Sequence, residues 1–389
     1  MTRRFAAITE RLRDTGGAKW AVHLRCREMR QAGADIIELT IGEPDVSPSS
    51  ALIDVAHQAM LAGRVGYSSG QGEPELIDAL VERYRKRRSD VTGDNVLCFP
   101  GTQTALFATI MGLAGTGDGV LVGDPFYATY EGVIRASGAH SVSVPLRPEH
   151  GFRLQPDDLV ASITPASTVL LLNAPQNPSG AVLDQATIDN IGEICRLHDL
   201  WLVCDEVYEE LVFDGAFASP FDNPAFADRV IALSSISKSF AAPGFRSGWA
   251  IGPADFCEKI LPISEAMLFG NQPFIADMTA YALRNPPDTA MRMREDYRRR
   301  AHIFTESLAG ISGITPHPPA AGMFILADVA ETGLDGKTFA WALLEAGVAV
   351  MPGSSFGVNA ADLIRLSLTV PDDAIVTACE RIAYFVETL

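Results

Sequence analysis

The 389 residues contain five lysines: Lys19, Lys86, Lys238, Lys259 and Lys337. Any mechanism that joins a carbonyl to a side-chain amine must use one of them. Lys238 stands apart, because Ser234-Ser235-Ile236-Ser237-Lys238-Ser239 follows an apolar strand candidate and surrounds the amine with hydroxyls. Arg246 follows eight positions later in a Pro-Gly turn. A lysine, several hydroxyls and an arginine at the C-terminal end of a strand lie where α/β sheets bind ligands. Lys19, Lys86 and Lys259 sit in polar, helix-like surroundings and read as solvated surface charges, while Lys337 begins a helix after Asp335-Gly336. A surface-loop lysine is the competing reading for Lys238, and the other motifs decide between the two.

In Trp201-Leu202-Val203-Cys204-Asp205-Glu206-Val207-Tyr208 an apolar strand ends in a carboxylate. A pyridine-type cofactor needs an acid that keeps its ring nitrogen protonated, since the cationic ring is the electron sink. Asp205 can supply that acid, with Tyr208 one helical turn further on and pointing the same way. A strand-end Asp also caps helices, and apolar-apolar-Asp-Glu resembles the Mg²⁺-binding strand of nucleotide triphosphatases. The latter needs a phosphate loop, and the Gly-Lys-Thr at Gly336 to Thr338 has Glu331 where the first glycine belongs. The nucleotide reading fails. Asn173-Ala174-Pro175-Gln176-Asn177-Pro178-Ser179-Gly180 is a loop, in which Asn177 either bonds a ligand or holds the turn. Pro100-Gly101-Thr102-Gln103-Thr104 opens a helix whose N-terminus suits a phosphate, although simple capping explains it equally well. Asp124-Pro125-Phe126-Tyr127 puts aromatics after a strand; core packing suits Phe126, and Tyr127 is the better candidate to stack on a ring.

Positioning these groups requires a layered α/β domain. From about 50 to 285 helix-like and strand-like segments alternate. Helices are expected at Thr102 to Ala114 and Gln185 to His198, and strands at Val120 to Gly123, Thr168 to Asn173, Trp201 to Cys204 and Arg229 to Ser234. Short, fully apolar runs are what a parallel sheet covered on both faces demands. After Pro286-Pro287 the character changes to a charged helix, Met291 to Arg300, then strands at Gly322 to Ala327 and Ile364 to Leu368. A final amphipathic helix aligns Ile375, Cys379, Ile382 and Val386. This predicts a smaller α+β domain, to which the first stretch of chain also contributes.

A formal charge of −17 argues against a general affinity for nucleic acid or anionic membrane. Cys26, Cys98, Cys195, Cys204, Cys257 and Cys379 are scattered, with no C-x-x-C pair, so neither a metal site nor a disulfide framework is expected. The N-terminal apolar stretch is broken at once by Glu10 and Arg11, which is no signal peptide. No apolar run is long enough to span a membrane. A cytoplasmic, reducing location is the expectation.

Ser235-Ile236-Ser237-Lys238 with Arg246 resembles the pyridoxal 5′-phosphate (PLP) lysine signature of class I/II aminotransferases. Asn177-Pro178-Ser179-Gly180, Asp205-Glu206-Val207-Tyr208, Ile41-Gly42-Glu43-Pro44 and Arg365-Leu366-Ser367 are similar to that family's other motifs, in its order. The resemblance runs from about residue 30 to the C-terminus. Ser247 departs from it, standing where the family usually has an apolar residue. The resemblance implies fold type I: a large PLP-binding domain, residues 46–285, with a mixed, mostly parallel sheet covered by helices, and a small α+β domain from residues 1–45 and 286–389. It implies a homodimer with shared active sites, and a ping-pong transfer of an amino group from an L-amino acid to a 2-oxo acid.

Residue by residue, the resemblance makes Lys238 the Schiff-base lysine and proton shuttle, and Asp205 the partner of the ring nitrogen. Tyr208 and Asn177 bond the phenolic oxygen, and Tyr127 stacks on the ring. Gly101, Thr102, Gln103, Ser235 and Arg246 hold the phosphate, with Tyr67 reaching in from the partner subunit. Arg365 clamps the substrate α-carboxylate bidentately, with Gly42 closing beside it and Asn177 adjoining. Dicarboxylate-specific relatives use a second cation, either a lysine where Gln103 stands or an arginine in the region matching 260–275, which here has no Arg or Lys. The run Arg196 to Asp205 continuing to Phe213-Asp214-Gly215, and Tyr297-Arg298-Arg299-Arg300, are similar to arginine–pyruvate transaminases. Carbon–sulfur lyases share the same lysine, aspartate and arginine. Non-catalytic sensors of this type carry a DNA-binding domain ahead of the motif at Gly42, for which about 40 residues are too few.

Overall fold

A computed structural model describes residues 5–389 apart from positions 14, 16 and 269. Residues 1–4, which enter both the leader reading and the expected 1–45 segment, lie outside the described residues. The strands begin with β1 (Ile37–Glu38), β2 (Val96–Phe99), β3 (Gly119–Asp124), β4 (His140–Pro145) and β5 (Ser167–Asn173). Then come β6 (Trp201–Asp205), β7 (Val230–Ser235), β8 (Gly248–Ile251), β9 (Thr315–His317) and β10 (Phe324–Asp328). The last are β11 (Val348–Ala349), β12 (Met351–Pro352) and β13 (Leu363–Ser367).

Seven of these form one sheet in the order β2-β8-β7-β6-β5-β3-β4. The pairs among β4, β3, β5, β6 and β7 are parallel, whereas β8 runs antiparallel to both β7 and β2. The expected mixed, mostly parallel sheet is therefore present. Its central strands are apolar throughout because both faces are covered. Leu170 and Leu172 of β5 join one buried cluster, and Val169 and Leu171 join the cluster on the opposite face. The helix Thr102–Leu113 buries Ala105, Leu106, Ala108 and Ile110 within the second of these clusters.

A second sheet, β12-β13-β10-β9, is antiparallel, and β1 pairs in parallel with β11. A separate hydrophobic cluster surrounds β10 and β13, and it includes Ile36 and Leu39 from the N-terminal segment. The helix Thr289–Ala309 closes this cluster. It runs beyond the expected Arg300 because Met293, Tyr297, Ala301, Phe304 and Leu308 keep one face buried past the arginines. β10 starts later than expected, since Gly322 adopts a left-handed φ of 82° that cannot continue a strand.

Two further expectations change. Lys19 is not solvated: its side chain is 14% exposed and its Nζ lies 2.6 Å from Glu131 Oε2. Tyr208 does not follow Asp205 on a continuous helix, but precedes the single turn Glu209–Leu211. The departure at Ser247 has a local cause. Buried completely, its hydroxyl meets Thr279 Oγ1 at 2.8 Å and Asn271 Nδ2 at 3.2 Å, so a polar residue is satisfied there. No helix among the described residues is long and apolar enough to cross a membrane. None of their His, Cys, Asp and Glu side chains gather in a group able to hold a metal ion.

Candidate active site

Parallel strands deliver their C-terminal residues to one edge of the sheet, where a ligand can sit in the crevice beyond them. Register fixes which residues arrive together: Asn173 pairs with Asp205, and Ser235 with Gly248, which also faces Phe99. The chain after Phe99 therefore opens its helix at the same edge. There the structure has a cavity of about 460 Å³, lined among others by Gly42, Thr102, Gln103, Tyr127, Asn177, Asp205, Tyr208, Ser235, Lys238, Arg246 and Arg365.

Asp205 is buried at the floor. Burial raises its pKa, opposed by the hydrogen bond from Tyr130 Oη to Oδ2 at 2.7 Å, the Val207 amide and the Lys238 charge. Tyr130 was not singled out by sequence. Its ring also meets Tyr127 edge-on, with centroids 5.6 Å apart, so one side chain braces both Asp205 and Tyr127. Its place at the first turn of the helix Tyr130–Ser137, three residues after Tyr127, is the signal by which it could have been found.

Lys238 Nζ donates to the Gly42 carbonyl at 2.5 Å. Burial pushes the amine down to about 8 and Arg365 adds to the effect, while Glu43 and Asp205 oppose it. Roughly a tenth is therefore the free base at pH 7, far more than in an ordinary lysine. Asn177 Nδ2 reaches Tyr208 Oη at 3.4 Å. The Asn177 loop is held by Asn173, whose Oδ1 accepts the Asn177 amide at 2.7 Å and whose Nδ2 donates to the Asp205 carbonyl at 2.9 Å.

At one end of the cavity the Thr102 hydroxyl is buried with no partner, at the N-terminus of its helix. Arg246 adopts a left-handed φ of 53° and is tied to the Pro243 and Pro100 carbonyls. A Cβ on Gly101 would come within 2.2 Å of Arg246 Nη2, so only glycine lets the backbone approach this guanidinium. Ser235 is buried close by. An orphan hydroxyl, a helix N-terminus and an arginine make an anion cradle.

Arg365 lies in the middle of β13 and is only 1% exposed. Its guanidinium is held between the rings of Phe324, 3.7 Å away, and Phe356, 4.3 Å away. Nη1 donates to Asn177 Oδ1 at 3.1 Å and Nη2 to the Thr40 carbonyl at 2.7 Å, but Nε has no partner. Burial pulls its pKa down to about 9, with Tyr208 and Tyr127 opposing, and no carboxylate among the described residues offsets the charge. A buried cation with an unused donor calls for an anionic ligand. Gly42 closes this corner, because a Cβ there would fall 2.1 Å from Phe324 Cζ.

Two candidates are absent from the lining: Gly101, which lies against Arg246, and Tyr67, which is 93% exposed. Trp20, Glu43 and Phe324 do line the cavity, although sequence reading did not assign them a role. PLP fits these residues, with an acid for its ring nitrogen, a cradle for its phosphate and an amine for its aldehyde.

The family model for aminotransferase class I and II matches residues 34–382. An arginine–pyruvate transaminase of Pseudomonas aeruginosa is 41% identical, over 98% of this chain and 97% of its own length. An aspartate/prephenate aminotransferase of Thermus thermophilus is 31% identical over 93% and 94%. A solved structure of a Thermus thermophilus aspartate aminotransferase double mutant superposes with a TM-score of 0.93 at 30% identity, covering 99% of this chain and 100% of that one.

Proposed function

The chain belongs to the aminotransferase class I and II family and is a PLP-dependent transaminase, and on that premise we propose that arginine is its amino donor and pyruvate its acceptor. The similarity to the arginine–pyruvate transaminase over nearly the whole of both chains supports that pair. The absence of lysine at Gln103 also turns the choice away from a dicarboxylate.

One observation carries the site assignment: a fully buried, partly unpaired guanidinium, Arg365, lines the same cavity as an amine whose pKa burial lowers to about 8, Lys238. When bound, PLP supplies a carbonyl that accepts the donor's nitrogen and a cationic ring that withdraws electrons. Asp205, fixed by Tyr130, keeps the ring nitrogen protonated. Thr102, Ser235, Arg246 and the helix amides beyond Gly101 hold the phosphate, with Gln103 beside them. Tyr127 covers the ring, and Tyr208 and Asn177 bond its oxygen. Arg365 clamps the α-carboxylate, with Asn177 and Gly42 beside it. Lys238 then moves the proton from the donor Cα, as its free-base fraction allows. Two anchor points, phosphate and carboxylate, leave the Cα–H bond one orientation to the ring, an effect worth up to ~7–11 kcal/mol in favourable cases.

The working unit in this reading is a homodimer, with Tyr67 of the partner subunit completing each phosphate site. Residues 46–285 form the PLP-binding domain, residues 1–45 and 286–389 the small one, and the enzyme works in the cytoplasm. Purified holoenzyme given L-arginine and pyruvate should form alanine and the guanidino 2-oxo acid, followed by chromatography and by the cofactor's colour change in each half-reaction. Alanine formation from other donors but not from arginine would overturn the substrate assignment.

A further inference from the structure

We propose that Asp124 is a positioning residue for the substrate clamp: it pins the turn that follows Phe356, and Phe356 steadies the Arg365 guanidinium. The inference rests on Arg365 being the group that receives the α-carboxylate. Asp124 is absent from the cavity lining, so it acts only through what it holds.

Asp124 ends β3 and is 2% exposed. A buried carboxylate is costly unless hydrogen bonds meet its charge. Here neutral donors meet it. Ser143 Oγ donates to Oδ2 at 3.1 Å, and the amides of Val358 and Asn359 donate to Oδ2 and Oδ1 at 3.3 Å each. Those amides open the turn Val358–Ala360, so a charged acceptor there fixes the place of the turn. Burial raises the Asp124 pKa, and Ser143, the two amides and the Lys19 charge oppose the rise.

The turn belongs to the connection between β12 and β13 of the smaller sheet, whereas Asp124 and Ser143 stand on β3 and β4 of the large one. The carboxylate therefore ties the two sheets together. Gly357 makes the approach possible. Its φ of 141° lies in the range that favours glycine, and a Cβ there would run into Asp124 Oδ1. Beside it the Phe126 amide donates to the Phe356 carbonyl at 2.7 Å. Phe356 is buried with Ala128 and Met351, and Trp20 packs against them. The Phe356 ring centre lies 4.3 Å from Arg365 Cζ, so the ring limits how far the guanidinium can tilt. A bidentate grip on a carboxylate depends on the plane of that fork.

The test uses PLP-loaded wild-type enzyme, D124N, Gly357→Ala and, as a reference, Arg365→Lys. Propionate probes the clamp, because it is the carbon skeleton of alanine without the amine and cannot react. Its Kd is read from the cofactor spectrum, beside kcat and KM for L-alanine and the Kd of PLP for each apoenzyme. The new amide in D124N keeps the shape of the carboxylate but turns N–H groups toward donors. Propionate should then bind on the order of tenfold more weakly, as expected for losing one bond to a charged acceptor. KM for L-alanine should rise in step while kcat falls less, and PLP affinity should stay as in wild type. Gly357→Ala leaves the carboxylate intact but pushes the turn away, and should weaken propionate too. Should D124N yield no soluble holoenzyme, Gly357→Ala decides in the same terms. Unchanged propionate affinity would overturn the proposal. So would an equal loss of PLP affinity, which would make Asp124 a support of the whole fold. If Arg365→Lys also bound propionate as tightly as wild type, the clamp reading itself would fall; a loss in Arg365→Lys with none in D124N would sink only the role of Asp124.

Discussion

Tyr130→Phe isolates a single hydrogen bond. The ring stays, so its edge contact with Tyr127 survives, and only the O–H donated to Asp205 Oδ2 at 2.7 Å is lost. A bond to a charged acceptor is worth about 1.5–3 kcal/mol, and at about 1.4 kcal/mol per pK unit that is roughly one to two units. The sign follows from which form the bond favours. Tyr130 stabilises the carboxylate, while burial already pushes Asp205 up, so removing the hydroxyl raises its pKa further. Below that pKa the acid is neutral and no longer holds the ring nitrogen cationic. The acid limb of the pH profile of the arginine half-reaction should therefore move to higher pH by about one unit or more, with the rate above it less affected. Stopped-flow spectra of the cofactor across pH give the profile, and dialysis against phosphate should strip cofactor from the variant faster than from wild type. An acid limb that stays in place, with cofactor retention equal to wild type, would refute the claim that Tyr130 holds Asp205 ionised.

Lys238→Ala should abolish both turnover and the absorbance of the lysine-bound cofactor, and retained transamination would remove this lysine from the mechanism. Because burial brings the Lys238 amine to about 8, the rate at which apoenzyme takes up PLP should climb as pH rises through that value, where the free base becomes the main form; a flat rate would contradict it. Arg365→Lys keeps the charge but loses the planar fork, and should raise KM for both amino donor and oxo acid on the order of a hundredfold, read from steady-state kinetics. Gly42→Ala must displace Phe324, since the new methyl would lie 2.1 Å from Cζ, and should lower kcat/KM sharply while the thermal midpoint changes little.

Four neighbouring strands of the large sheet, β3, β5, β6 and β7, were legible because each holds a short apolar run, as a sheet covered on both faces demands; β2, β4 and β8 were not, and the edge strand β4 mixes His140, Ser141 and Ser143 with its valines. That pattern also located Asp205, Ser235 and Lys238, which sit at or just past strand ends. Boundaries were less legible where tertiary burial overrode local character. The helix Thr289–Ala309 continues beyond three consecutive arginines because its other face is covered, and Arg300 itself is buried against Asp45 and Asp372. Lys19 reads as solvated because its partner, Glu131, lies more than a hundred positions away.

The amino-acid order by itself determined the four central parallel strands, the chemistry-bearing groups and the family likeness, since these depend on local hydrophobicity and on short contiguous motifs. Only the tertiary structure decided how those groups are held. Tyr130 meets Asp205 across 75 positions, Asn177 meets Arg365 across 188, and the Thr40 carbonyl meets Arg365 across 325. The aromatic pair around Arg365 exists only when β10, β13 and the Phe356 connection between β12 and β13 come together. Side-chain partnership across such distances is set by packing, which no local pattern encodes.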